Sequence, residues 1–503
     1  MFSPDYLESL DLDPYNYTAG HWLHRDREER EVRYIKFDFD ALRRRVVEVC
    51  DGATAIASYE KKEGTANRVF IFTTNNGKRL VAKVPFRLGI PSGLVIRSEV
   101  ATVKFLQTNT SIPMPKILDW SIDVANAVGT EYIIMEHASG VQLDKKWDHM
   151  SPDQKIKCIQ GIHEKLTGMV DIDFLAYGSI YDSAYPSESE QETVPFKEGF
   201  CIGPHLDLTY WDGFAGDEKY YHQMKPNRGP WKSFEAYCNA RIDSSISCIP
   251  PSTSPNRPAS NLPSWHGSPQ SHIDLLESLR DVLKAVSNDP NSERILDASK
   301  PTLYCYLPKR HIFVSDTDPT IITSIIDFQT ACIDAPFMYA SSFITFLEPK
   351  DPPDSEDVIY IQVFIQSIMQ NMPKLLAPMA VSQNFFRPFA TCDMAWKQGA
   401  ASLRHALQEL SGEWERLGLA SPCPVPAIPE SEAKQHHVEN AKCTAALRTR
   451  MTFAKNIGCR PDGWVSAEKW EETVLACVVG WNAFSSMSGM TLEEDIVLGA
   501  QDL

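Results

Sequence analysis

The spacing of apolar and polar residues changes several times along this 503-residue chain, and the changes divide it. DFDALRRRVVEVC (38–50) sets apolar residues at helical spacing behind two possible caps, Asp38 and Asp40. Two β-branched and aromatic runs follow, RVFIFTT (68–74) and RLVAKVP (79–85). They are joined by Asn75-Asn76-Gly77-Lys78, and an Asn-Gly turn between such runs predicts a hairpin. SEVATVKFLQT (98–108) reads as a capped amphipathic helix, and EYIIMEH (131–137) as a buried strand ending in the small-residue turn Ala138-Ser139-Gly140. This order predicts a small antiparallel sheet with one helix packed on it.

From there the pattern turns mostly helical. SPDQKIKCIQGIHEKLTGM (151–169) predicts a helix capped by Ser151, and SHIDLLESLRDVLKAVS (271–287) another. Between them, 178–235 reads as an irregular, Gly-, Pro- and aromatic-rich insertion, and the Pro/Ser-rich 249–272 as a mobile loop. HIFVS (311–315) and IITSIIDF (321–328) form a second predicted hairpin, and 355–503 is helical with breaks near its prolines. The predicted division is an arm and helix over 1–50, a sheet lobe over 51–140, a helical lobe over 141–350 with insertions at 178–272, and a helical extension over 351–503.

Composition changes this picture little. A formal net charge of −17, from 66 acidic and 49 basic side chains, argues against a nucleic-acid or anionic-membrane partner. No run of about 18 apolar residues predicts a membrane span. The N-terminus is acidic where a secretory or transit signal is basic. The twelve cysteines form no CxxC pair and read as reduced thiols, which together with the N-terminus gives an expected cytoplasmic location. His436, His437 and Cys443 fit no zinc spacing and read as a helix face.

Transfer of a phosphoryl group from a nucleotide needs a cation for the phosphates, a carboxylate for Mg²⁺ and a base for the attacking hydroxyl. Lys83 sits inside an apolar strand that would bury it, so it needs a partner, and Glu99 early in the next helix is the obvious one. Gly64, in KKEGTANRVF (61–70), supplies a small-residue turn where backbone N–H groups can meet phosphate.

KKEGTANRVF, VAKVP, SEVATVKFL, EYIIMEHASG and IIDFQTA follow one another in kinase order and at kinase-like separations. In this the chain resembles the aminoglycoside-phosphotransferase family, in its large fungal-type branch. FCIGP (200–204), RGPWKSFEAY (228–237) and CRPDGWVSAEKWE (459–471) are further echoes of that branch, and the resemblance runs from about residue 17 to near 495. It implies an α+β, two-lobed protein-kinase-like fold, with a small antiparallel-sheet N-lobe, a mainly helical C-lobe and a helical C-terminal extension. It also implies ATP and Mg²⁺ as cofactors, their retention left open, and a small-molecule substrate. Lys83 would meet the phosphates, Glu99 would hold it, and Glu136, His137 and Ala138 would receive the adenine edge. Asp327 would chelate the metal; the plainer reading is a turn carboxylate after a buried strand.

The departure lies in the catalytic loop, which the family writes His-x-Asp-Leu-His-x-x-Asn. Here it reads Tyr304-Cys305-Tyr306-Leu307-Pro308-Lys309-Arg310-His311. Tyr306 stands at the aspartate position, His311 at that of the metal-binding asparagine, and Tyr304 and Pro308 at those of the two histidines. A tyrosine of pKa about 10 is ionised in roughly one part in a thousand at pH 7, and a general base is typically worth about 10²–10⁴ in rate. Cys305 reads as a packed thiol rather than a nucleophile. Three functions stay open: a degenerate, pseudokinase-like binder of nucleotide or small molecule; a tailoring enzyme of fungal-type specialised metabolism that reuses the cleft; and a weak ATP-dependent phosphotransferase.

Overall fold

A computed structural model describes residues 13–184, 192–211, 226–250, 262–339, 346–347, 349–350 and 353–488. The first lobe is a five-stranded antiparallel sheet. Its order across the sheet is Ile56–Glu63, Asn67–Thr74, Arg79–Pro85, Tyr132–Glu136 and Ile117–Ser121. Alternation gives its two faces different tasks. Phe70, Phe72, Leu80, Ala82 and Val84 pack under the helix Phe39–Val49, with Tyr17, Trp22 and Phe37 of the N-terminal arm closing that core. Asp38 caps the helix by accepting from the Ala41 N–H at 2.8 Å. On the other face the register sets Val69 opposite Lys83 and Val81 opposite Met135, so Val69, Val81, Lys83 and Met135 point to the same side.

The helix after this hairpin runs Ser92–Asn109, six residues earlier than the expected start at Ser98. Ser98 is fully buried within it, and the helix begins behind Pro91 without a side-chain cap. Burial of Val95 and Ile96 outweighs the local cap signal. Two strands carried no clear alternation and went unread: Ile56–Glu63, exposed along much of one face, and the half-buried edge strand Ile117–Ser121.

The second lobe is built on two apolar cores. In one, the helix Pro152–Val170 packs against Ser355–Asn371 beneath the strands Ile312–Val314 and Ile322–Ile325. Ser151 and Gln154 close a full capping box at its start. In the other, Phe234–Ser247, Pro269–Ser287 and Ala400–Glu413 come together. The insertion expected to be irregular carries a three-stranded sheet of Ser179–Asp182, Phe200–Gly203 and Val194–Pro195. Strands of four residues or fewer leave too little pattern to be read. Residues 185–191, 212–225 and 251–261, which hold much of the expected mobile loop, lie outside the described residues.

The C-terminal extension does not stay with the helical lobe. After the helix Glu430–Asn456, the chain returns to the first lobe, and Trp464–Ser466 pairs antiparallel with Gly20–Trp22. No helix among the described residues is long and apolar enough to cross a membrane. No group of three or more His, Cys, Asp or Glu side chains among them could hold a metal ion, and His436, His437 and Cys443 all belong to Glu430–Asn456. No disulfide joins the cysteines among the described residues.

Candidate functional site

Three elements converge on the Lys83 ammonium. It donates to Glu99 Oε1 and Oε2 at 2.8 and 2.9 Å, and to Asp327 Oδ1 at 2.8 Å. Lys83 comes from the sheet, Glu99 from the following helix, and Asp327 from the loop after Ile322–Ile325. Burial opposes the charge on Lys83, but Asp327 and Glu99 outweigh it and hold the lysine protonated above its ordinary range. Burial pushes Glu99 up, against the pull of Lys83. Asp327 is pulled down, because Lys83 and His311 outweigh its own burial. One ammonium thus faces two carboxylates, and the cluster has no surplus positive charge for an anion.

Asp327 has φ +69°, a left-handed backbone conformation in a residue that is not glycine. Such a conformation costs on the order of 1–3 kcal/mol and gathers at ligand sites and switches. The strain turns the carboxylate back toward Lys83 while its second oxygen lies 3.4 Å from His311 Nε2. Burial keeps His311 below the ordinary histidine range, hence mostly neutral at pH 7, despite the carboxylate beside it.

Tyr306 is half exposed, at 48%. Tyr304, at the end of Thr302–Tyr304, stacks on Tyr339 with ring centroids 3.5 Å apart. Cys305 is buried, and burial drives its thiol far above the reactive range. Beneath the loop lies a narrow apolar cavity of about 60 Å³, lined by Ile159, His163, Cys305 and Phe364 among others.

The other expected site residues sit at the cleft edge. Gly64 lies in the turn after Ile56–Glu63 with no left-handed φ, and a Cβ there would meet nothing closer than 3.8 Å, so the turn itself does not demand glycine. Glu136 pairs with Lys116 through N–H to O at 2.9 Å and also accepts from the Lys116 N–H at 3.2 Å. The His137 N–H is spent on the Arg79 carbonyl at 3.2 Å, its ring nitrogen Nδ1 lies 2.8 Å from the Ala138 carbonyl, and Ala138 is buried.

Other contacts at the site had no sequence signal of function. Asn67, just past the turn, bonds the Gln329 side chain two residues beyond Asp327, tying the turn to the acidic loop. Asp334, fully enclosed, accepts from Tyr237 at 2.8 Å and from Tyr339, and lies 2.9 Å from His205 Nε2. His205 holds Asp334 down, to about 2, against its burial. Since Tyr339 carries the Tyr304 stack, this knot backs the catalytic loop. Only the juxtaposition of distant segments reveals it.

What these residues can hold follows from their chemistry. Val69, Val81 and Met135 share the sheet face of Lys83 and give the neighbourhood of the buried ammonium an apolar character. For a divalent cation there is one carboxylate, Asp327, beside an imidazole. That suits Mg²⁺ only when phosphate oxygens and water complete its shell.

No family model matches the chain. Among solved structures it is similar to the streptomycin–ATP–APH(2″)-IIa ternary complex, with a TM-score of 0.40 and 11% identity over 74% of this chain and 97% of that one. It is also similar to APH(4)-Ia in complex with ADP and hygromycin B, with a TM-score of 0.37 and 13% identity over 81% and 98%. Overlaps this low carry no weight, and the fold rests on the element order and the convergence on Lys83. The fold is two-lobed and kinase-like, with an antiparallel-sheet lobe and a mainly helical one. Among curated proteins, the subtelomeric hrmA-associated cluster protein of Aspergillus fumigatus is 34% identical over 151 residues, 30% of this chain and 29% of that protein. Altered inheritance of mitochondria protein 9, mitochondrial, of Clavispora lusitaniae is 24% identical over 396 residues, 67% of this chain and 63% of the relative. Its Yarrowia lipolytica counterpart is 26% identical over 45% and 43%. The chain therefore spans less than two-thirds of the length of these relatives.

These relatives correct the expected cytoplasmic location, since several are named as mitochondrial. The expectation rested on unpaired cysteines and an acidic N-terminus. Unpaired thiols report a reducing environment rather than an address.

Proposed function

We propose that this chain is a mitochondrial, kinase-fold binding protein that takes a nucleotide with a small molecule and does not transfer phosphate efficiently. One observation carries the reading: the Lys83 ammonium is gripped by both Glu99 and Asp327, while the position of the catalytic base is a half-exposed tyrosine. The phosphate-holding half is kept and the proton-accepting half is gone. The location comes from the printed names of the relatives.

In this reading the nucleobase lies under Val69, Val81 and Met135, and the phosphates face Lys83. A bound nucleotide with Mg²⁺ supplies the phosphoryl group and the charge to neutralise it. Asp327 holds the cation, and in giving up its bond to Lys83 it frees the ammonium for phosphate. The strained backbone at Asp327 supports such a change of partner. Tyr306 and His311 leave the acceptor hydroxyl without a carboxylate base. Losing about 10²–10⁴ in rate is enough to turn an enzyme into a binder.

Thermal shift of the full chain tests this. ATP with Mg²⁺ at millimolar concentration should raise the melting temperature, and ATP with a chelator should raise it much less, because Asp327 then keeps Lys83 neutralised. No shift in either condition sinks the reading. A second arm installs Tyr306→Asp with His311→Asn, and ATP hydrolysis or transfer should rise at least tenfold over the parent.

A further inference from the structure

The segment CRPDGW (459–464) follows the helix Glu430–Asn456 and leads into the strand Trp464–Ser466. It forms a tight turn: the Gly463 N–H donates to the Arg460 carbonyl and the Arg460 N–H to the Trp464 carbonyl, both at 2.9 Å. The turn is locked to the first lobe. Trp464–Ser466 pairs with Gly20–Trp22, Trp464 Nε1 donates to the Tyr17 hydroxyl at 2.9 Å, and the Leu23 N–H donates to the Gly463 carbonyl at 2.9 Å. The fit is close: a Cβ on Gly20 would come within 2.3 Å of the Val465 carbonyl oxygen.

What this anchored turn presents is the Arg460 guanidinium. Its Nη2 donates at 3.2 Å to Thr65 Oγ1, at the exposed turn between Ile56–Glu63 and Asn67–Thr74. Through Asn67 and Gln329 that same turn is tied to the loop of Asp327. Of the neighbouring cations, Lys83, Arg68 and Lys61 are committed elsewhere, and Lys62 sits in an exposed surface pair. Lys83 serves Glu99 and Asp327, and Arg68 is fully buried on Glu63 at 2.8 Å. Lys61 is held by the Asp13 and Asn16 carbonyls, and Lys62, on the cleft-side face, lies 3.7 Å from Glu60. Arg460 instead rests on a neutral hydroxyl. It is 44% exposed, with Asp462 at 3.1 Å as an equally exposed counter-charge, the kind of surface pair that contributes little. The Trp464 ring, 5.3 Å from the guanidinium carbon, orients it.

We propose that Arg460 reads the terminal phosphates of a nucleoside triphosphate in the cleft, exchanging the Thr65 hydroxyl for phosphate oxygens. The inference rests on the nucleotide reading above. It supplies the surplus positive charge that the Lys83 cluster lacks, from a planar donor suited to two phosphate oxygens at once. It also gives the C-terminal extension a reason to return to the first lobe.

Calorimetric titration of the full chain with ATP, ADP and adenosine, each with Mg²⁺, tests it. Arg460→Gln should weaken ATP about tenfold or more and ADP less, and leave adenosine unchanged. Arg460→Lys, which keeps charge and bulk and so guards against a folding defect, should fall between the two. Equal ATP-to-adenosine affinity ratios in wild type and in Arg460→Lys and Arg460→Gln overturn the role of Arg460 and leave the nucleotide site standing. Wild-type protein that binds none of the three ligands removes the nucleotide reading, and this inference with it.

Discussion

Replacing Lys83 by methionine isolates the electrostatics of the cleft, because it keeps the bulk of the side chain and removes the charge. Glu99, whose side chain is 4% exposed, then loses its ion-pair partner, Lys83, in an apolar setting. Asp327, at 33% exposed, stays solvated. A buried carboxylate without a cation takes up a proton rather than remain charged. Neutralising a carboxyl of ordinary pKa about 4.5 at pH 7 costs at most about 3.4 kcal/mol, at about 1.36 kcal/mol per pH unit. The sign follows from linkage. The folded variant holds a proton on Glu99 that its unfolded chain has released, so the variant gains stability relative to wild type as pH falls. The penalty should shrink from about 3 kcal/mol at pH 7 to about 1 kcal/mol at pH 5. Urea midpoints of wild type and Lys83→Met, taken at both pH values, read this directly. A penalty equal at pH 5 and pH 7, or one below about 1 kcal/mol at pH 7, would refute a buried, charge-compensated Glu99. The double variant Lys83→Met with Glu99→Gln should recover most of the pH 7 loss.

Other outcomes follow from the same geometry. His163 lies fully buried against the cavity under the catalytic loop, and burial lowers it to about 4. Between that value and the ordinary 6.5 only the unfolded chain takes up the proton, so stability falls as pH drops; His163→Leu should remove about 2 kcal/mol of the loss between pH 7 and pH 5, read from urea midpoints. Asp334→Asn should cost about 1–3 kcal/mol, because it disrupts the buried acceptor shared by Tyr237, Tyr339 and His205. Gly20→Ala should free the strand Trp464–Ser466 from Gly20–Trp22, detected as faster amide exchange at Val465 with the helical lobe unchanged.

Sequence reading reached the parts of this molecule whose signal is local. The hairpin around Asn75-Asn76-Gly77-Lys78, the helix capped by Ser151 and the pair of strands before Asp327 each carry their own turn or cap chemistry. They recur in the structure within one to three residues. Where burial decides against local preference, the reading slipped, as at Ser98, which looks like a cap and lies inside a helix. Contacts between residues far apart in the chain were invisible. Asn67 to Gln329, Thr65 to Arg460 and His205 to Asp334 join segments separated by 262, 395 and 129 positions, and no spacing rule connects them.

The same distinction applies to the loop 304–311. Leu307, Ile312 and the apolar side of the loop belong to the core of the helical lobe, so their identity is tied to packing. Of the four positions that differ from the resembled pattern, Tyr306 faces solvent and His311 meets the acidic loop, while Tyr304 stacks on Tyr339 and Pro308 is buried. A substitution of aspartate at such a half-exposed site removes a base at little structural cost. Lys83 has no such freedom, since losing it leaves the buried Glu99 carboxyl without its cation. The presence of Lys83 and Glu99 is in itself weak evidence for catalysis, and the case for ligand binding has to come from the parts that packing does not require: the strained Asp327 backbone and the half-exposed Arg460.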